Sequence, residues 1–179
     1  MKLYTKTGNK GTTIINGKTI EKDSCVVKTL GAFDALMSSI NKVIYGLDIL
    51  PGMTKHRRYC MNIQTELKYL AAEVAGIKVG MFKKADVTFI EGCINSLDIK
   101  LDNFVRFSNP IAMDIDEARV RTRNVEREII QLLRERVISD DGYTYINRLS
   151  DYFFTLAVYV DVKFEWGEKN DRKMWNIYR

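Results

Sequence analysis

Apolar residues recur at three- and four-residue steps through most of this chain, and little interrupts them. Phe33, Leu36, Met37, Ile40, Val43, Ile44 and Leu47 fall on one face of a helix, which predicts a helix over 26–48, ended by Leu50-Pro51-Gly52. Ile63, Leu67, Leu70 and Val74 mark a second helix closing near Gly76. Val87, Ile90, Ile94 and Leu97 mark a third, running to about Leu101, and a loop through Ser108-Asn109-Pro110 follows. Ile115, Ala118, Thr122, Val125, Ile129 and Leu132 mark a long fourth helix, and Ile146, Leu149, Phe153, Leu156 and Val160 a fifth. Pro51 and Pro110 are the only prolines in 179 residues, so long helices meet few breakers. Five amphipathic helices on short loops have to bury their stripes on one another. The expectation is an all-α protein, a five-helix antiparallel bundle.

The first 25 residues have a different pattern. Thr12-Thr13-Ile14-Ile15 and Lys18-Thr19-Ile20 flank Asn16-Gly17, which reads as a small hairpin with a tight turn. No repeat, linker or low-complexity tract divides the chain. Residues 1–179 are therefore read as a single domain, with an arm over 1–25, a bundle over 26–165 and a polar tail over 166–179.

Composition removes several classes of function. The longest apolar stretch, Tyr152 to Val160, is about half a membrane span and carries Thr155. The N-terminal residues hold no apolar signal region. Cys25, Cys60 and Cys93 are widely spaced and odd in number, which is neither a disulfide framework nor a zinc spacing and suits a reducing cytosol. The expected location is cytoplasmic, and no metal is assigned to protein side chains. His56 is the one histidine, in what reads as an exposed turn, so chemistry built on a histidine dyad or triad is excluded. The net charge of +5 fits an anionic ligand such as a nucleotide, and nucleic-acid binders usually concentrate charge further.

Three stretches carry residues suited to chemistry. In Tyr4-Thr5-Lys6-Thr7-Gly8-Asn9-Lys10-Gly11-Thr12-Thr13 the glycines let backbone N–H groups converge, lysines supply charge and threonines supply hydroxyls, as a phosphate chain needs. Its lysine stands between the glycines, so it is not a Walker A loop, and the same composition also suits a plain lead-in to a hairpin. On the fourth helix Arg119, Arg123, Glu126 and Arg127 share a face beside the apolar stripe. Guanidinium groups so placed can clamp phosphates, or simply form a solvated face with internal pairs. In Tyr145-Ile146-Asn147-Arg148-Leu149-Ser150-Asp151, Asn147 and Asp151 stand one turn apart on a largely apolar helix and need partners, in a ligand or among those arginines.

These motifs, with Lys22-Asp23, Gly31-Ala32-Phe33-Asp34 and Ile63-Gln64-x-Glu66-Leu67 between them, follow one another in an order that resembles the PduO-type ATP:cob(I)alamin adenosyltransferases over residues 2 to about 160. The resemblance implies a ferritin-like five-helix bundle that assembles as a homotrimer, with ATP near a subunit interface. By motif, Thr5, Lys6, Thr7, Gly8, Lys10, Gly11 and Thr13 would cradle the triphosphate, with Lys22 adding charge. Arg123, Glu126, Arg127 and Asn147 would complete the site, with Mg²⁺ on the phosphates. Asp34 and Arg119 resemble a pair that meets across the interface, and Phe104 stands where the family places an aromatic residue under the corrin ring. The implied reaction transfers the 5′-deoxyadenosyl group of ATP to Co(I) of cobalamin, giving adenosylcobalamin and triphosphate. A reductase that supplies Co(I) and an adenosylcobalamin-dependent enzyme that takes the product are the implied partners.

The chain departs from the family pattern at Asn9, usually Asp, at Asn124, usually a second arginine, and at Ala35 and Met37, usually Glu and Asn. Phe107-Ser108-Asn109-Pro110 replaces a Pro-Gly-Gly loop. These departures suit a second reading, a non-catalytic relative that binds ATP or adenosylcobalamin as carrier, chaperone or sensor. A third is a basic helical interaction module without a small ligand.

Overall fold

The computed structural model describes residues 8–77, 83–99 and 105–164. Among them are five helices and one hairpin: β1 (Thr12–Ile15), β2 (Lys18–Glu21), α1 (Cys25–Ile49), α2 (Thr54–Val74), α3 (Lys84–Asn95), α4 (Pro110–Arg134) and α5 (Asp140–Lys163). The expected bundle and the expected hairpin are both present.

Helix starts follow from local chemistry. The Ser24 hydroxyl accepts from Val27 N, the Ser139 hydroxyl from Gly142 N, and the Asn109 side-chain Oδ1 from Ile111 N and Ala112 N. Pro110 then fills the first position of α4, where a missing N–H costs nothing.

Two helices differ from the sequence expectation. α2 begins at Thr54, well before Ile63, and its buried stripe runs His56, Cys60, Ile63, Leu67, Leu70 and Val74. The stripe continues through a histidine and a cysteine, which do not read as apolar. His56 is therefore buried and not in an exposed turn. Its Nδ1 lies 3.4 Å from the Tyr152 hydroxyl. α3 ends at Asn95, not near Leu101, because Asp98 adopts a left-handed φ of 45° and turns the chain away.

The core is continuous across all five helices, with Phe33, Leu36, Leu67, Ile90, Ile129, Tyr152 and Phe153 fully enclosed. α1 lies antiparallel to α4: Thr29 Oγ1 donates to Glu128 O, Lys42 pairs with Glu117, and Gly46 faces Ile111. A Cβ on Gly46 would come 2.8 Å from Ile111 Cγ2, so glycine sets how closely these helices approach. The short α3 packs on α5.

β1 and β2 pair antiparallel, Thr12 with Glu21 through Ile15 with Lys18. Asn16 (φ 48°) and Gly17 (φ 75°) form the turn, both left-handed as an Asn-Gly two-residue hairpin requires. Asn16 Nδ2 donates to Gly76 O at 3.0 Å, which ties the hairpin tip to the end of α2. At the hairpin's other end, Cys25 and Thr29 both reach Glu128 O. The hairpin thus sits at the end of the bundle where α1 begins and α4 ends.

Candidate active site

The second half of α4 and the first half of α5 meet at a polar seam within the packed core. Glu126 is only 9% exposed. A carboxylate so placed needs partners, and both of its oxygens have one. Oε2 pairs with Arg123 Nη1 at 3.0 Å, and Oε1 accepts from Asn147 Nδ2 at 2.8 Å. Arg123 stands one turn before Glu126 on the same helix, and Asn147 reaches it from α5. The arginine side chain is half exposed, so one of its nitrogens is held by the buried carboxylate while the group as a whole faces outward. The buried carboxylate thus tethers the guanidinium at one end.

The neighbouring cations are arranged differently. Arg127 is exposed and donates to Asn124 Oδ1 at 3.3 Å. Arg119 donates from Nε to Asp116 Oδ1 at 2.6 Å, and its guanidinium carbon lies 5.9 Å from the centre of the Phe154 ring. Asp34 is exposed on α1, between Thr29 and Lys42, level with the stretch of α4 between Glu117 and Glu128.

In the arm, Gly8, Lys10, Gly11, Thr13 and Lys22 fall within the described residues, and Thr5, Lys6, Thr7 and Phe104 lie outside them. Gly11 has φ 81°, and its carbonyl accepts from Lys22 N at 2.8 Å, closing the base of the hairpin. The Lys22 ammonium reaches back over the turn: a Cβ on Gly8 would lie 3.1 Å from Lys22 Nζ and 3.3 Å from Thr12 O. Lys10 and Lys22 are both exposed there, and Thr13 is half-buried on β1. The hairpin base and the Arg123–Glu126–Asn147 seam lie at the same end of the bundle. There Glu128, two residues beyond Glu126, holds the start of α1.

Other regions are poorly suited to a polyphosphate. A cleft of about 270 Å³ between α2, α3 and α5 carries the carboxylates of Glu66 and Asp86. Burial, with Asp86 adding to it, raises the Glu66 pKa, and two acids repel a triphosphate. Burial also pushes the Cys60 thiol up to about 12 and the Cys93 thiol to about 11, so neither supplies a thiolate near neutrality. Among the described residues no group of three or more His, Cys, Asp or Glu side chains could hold a metal ion.

Two further residues join the polar seam, and sequence reading assigned neither of them a role. Arg148 donates from Nη1 to Asn147 Oδ1 at 3.4 Å and from Nε to Glu91 Oε1 of α3 at 3.0 Å. Arg148 stands inside a motif that draws the eye. Glu91 carries no signal, because nothing local tells which helix α3 lies against.

Known proteins resemble this chain along nearly its whole length. The cobalamin adenosyltransferase family model matches residues 3–160. A corrinoid adenosyltransferase of Bacillus subtilis is 31% identical over 186 residues, covering 100% of this chain and 96% of that protein. One from Homo sapiens is 29% identical, covering 97% and 73%. A solved structure of a variant PduO-type ATP:corrinoid adenosyltransferase from Lactobacillus reuteri, complexed with cobalamin and ATP, superimposes with a TM-score of 0.77 at 29% identity, covering 90% of this chain and 91% of that one. Helix order, hairpin arm and polar seam are thus accompanied by similarity over most of the sequence, and the chain belongs to the cobalamin adenosyltransferase family.

Proposed function

We propose that this protein transfers the 5′-deoxyadenosyl group of ATP to Co(I) of cobalamin, with the triphosphate held between the arm and the Arg123–Glu126–Asn147 seam. The observation that carries the reading is Glu126. A buried carboxylate spends both oxygens on orienting a half-exposed arginine and an asparagine, at the bundle end that also holds the hairpin base.

The cobalt lone pair attacks C5′, a Co–C bond forms, the C5′–O bond breaks, and its electron pair leaves on the triphosphate. Cobalt is the nucleophile, so no Cys, Ser or His has to attack. What remains for the protein is orientation and charge. Thr5, Lys6, Thr7, Gly8, Lys10, Gly11 and Thr13 cradle the phosphates, and Lys22 and Arg127 add positive charge. Arg123 meets the charge that develops on the departing triphosphate, held in position by Glu126. Magnesium carried on the phosphates supplies further neutralisation. Phe104, by its match to the family's corrin-facing aromatic, is assigned the position beneath the corrin, where an apolar ring would exclude a lower axial ligand and ease reduction of Co(II) to Co(I).

The working unit is a homotrimer in the cytoplasm, with Asp34 of one protomer meeting Arg119 of the next. A reductase supplies Co(I), and an adenosylcobalamin-dependent enzyme takes the product. No described helix is long and apolar enough to cross a membrane.

Asn124 favours a second reading, since it replaces the family's second arginine and draws Arg127 onto itself. On that reading the chain binds ATP or adenosylcobalamin without turnover. A single-turnover assay with ATP, Mg²⁺ and chemically reduced cobalamin separates the two. Adenosylcobalamin and triphosphate in equal amounts are expected. Binding of both substrates with no Co–C bond formed establishes the second reading instead.

A further inference from the structure

The polar seam does not end at Asn147. Its amide is held from both sides: Nδ2 donates to Glu126 Oε1 at 2.8 Å and Oδ1 accepts from Arg148 Nη1 at 3.4 Å. An asparagine amide has one donor end and one acceptor end. A cation on the oxygen and a carboxylate on the nitrogen therefore favour the same one of its two orientations. Arg148 is itself tethered, through Nε to Glu91 Oε1 at 3.0 Å and more loosely through Nη1 to Asp151 Oδ2 at 3.7 Å. Asp151 lies on the same helix as Arg148, one turn on. Glu91 lies on α3, which supplies no residue of the nucleotide site.

The result is a continuous chain of contacts from α3 through α5 to α4: Glu91, Arg148, Asn147, Glu126, Arg123. Arg148 bridges Glu91 and Asn147, and Glu126 joins Asn147 to Arg123. We propose that Glu91 is a positioning residue for adenosyl transfer, acting through Arg148 and Asn147 to hold the Glu126–Arg123 pair in the aim that receives the leaving triphosphate. This rests on the reading that Arg123 meets that triphosphate. A long flexible guanidinium gains rate enhancement only when its direction is set before reaction. Arg148 and Glu91 are each about two-fifths exposed, so the link is solvated and its effect modest.

The test is a double-mutant cycle between Glu91 and Asn147, with kcat and KM for ATP and for cobalamin measured separately. Glu91→Ala should lower kcat by about two- to fivefold, the scale of one half-exposed ion pair, with KM for cobalamin and the melting temperature unchanged. Glu91→Gln keeps an oxygen for Arg148 and should recover part of the loss. In the Asn147→Ala background Glu91→Ala should cost nothing more, because the link through which it acts is gone. Should Glu91→Ala fold poorly, Glu91→Gln runs the same cycle. Equal losses in both backgrounds, or wild-type kcat in both Glu91 variants, overturn the proposal while leaving the site reading intact. Wild-type turnover in Asn147→Ala overturns the site reading and the proposal together.

Discussion

At Arg123 a solvent-facing guanidinium is anchored by a carboxylate that solvent scarcely reaches. Negative charge moves onto the triphosphate as the C5′–O bond breaks, so a preset cation stabilises the transition state more than the bound substrate. Arg123→Ala should lower turnover by about 10²–10³, with ATP affinity falling less than kcat, as steady-state kinetics will read. Turnover like the wild type would move the nucleotide site elsewhere. Elsewhere in the bundle, His56 is buried against Tyr152 with its ring close to those of Tyr59 and Tyr159. Burial, with Lys55 and Lys163 adding to it, lowers its pKa below the ordinary 6.5. The unfolded chain then binds the proton more readily than the folded one. The stability this contributes is complete above pH 6.5 and is lost as pH falls below it. Thermal melts from pH 7.5 to 5 should show a decline that is shallower in His56→Gln. Equal slopes would mean that other groups cause it.

Between elements, the join of α4 to α5 depends on a buried acid. Asp161, 4% exposed in the last turn of α5, accepts at Oδ1 from Ser108 N, Ser108 Oγ and Asn109 N. Asn109 in turn donates to Phe164 O and caps α4. Hydrogen bonds to the Asp161 side chain thus hold the turn that leads into α4. Asp161→Ala leaves two amides and a hydroxyl without that acceptor, at a cost of about 2–3 kcal/mol. For a chain this long the melting temperature should fall by roughly 5–10 °C. Asp161→Asn, which keeps a carbonyl oxygen, should lose less. Calorimetry that ranks the two alike would show that the charge itself carries the contact.

At the scale of the whole molecule the proposed homotrimer turns on Arg119 and Asp34. In one protomer Arg119 rests on Asp116 and near the Phe154 ring, while Asp34 is exposed on α1. In the proposed trimer Arg119 would serve Asp34 as well, because a guanidinium carries five donors and Asp116 takes one of them, at Nε. Breaking a partly buried pair from one side strands the other charge, at about 3–5 kcal/mol. Arg119→Ala should therefore weaken the proposed trimer more than Arg134→Ala, which lies exposed at the end of the same helix. Light scattering decides this: a monomeric wild type, or two variants that behave alike, removes the claim.

What the sequence by itself determined is whatever depends on near neighbours in the chain. The Asn16-Gly17 turn, the break at Leu50-Pro51-Gly52 and the four- and three-residue stripes all act within one turn or one hairpin, and the hairpin and the five helices are present where those signals place them, apart from the start of α2 and the end of α3. The motifs around Arg123 and Asn147 also point toward each other as groups in need of partners. Only the tertiary structure decided which partners they took. Glu126 bonds Arg123 one turn away, but Asn147 meets it from 21 residues off, and Glu91 meets Arg148 from 57. His56 reads as a polar residue in a turn until Tyr152 and Tyr159 close over it. Burial and long-range pairing depend on which helices lie side by side, and a stripe of apolar residues tells that a helix is covered without telling by what.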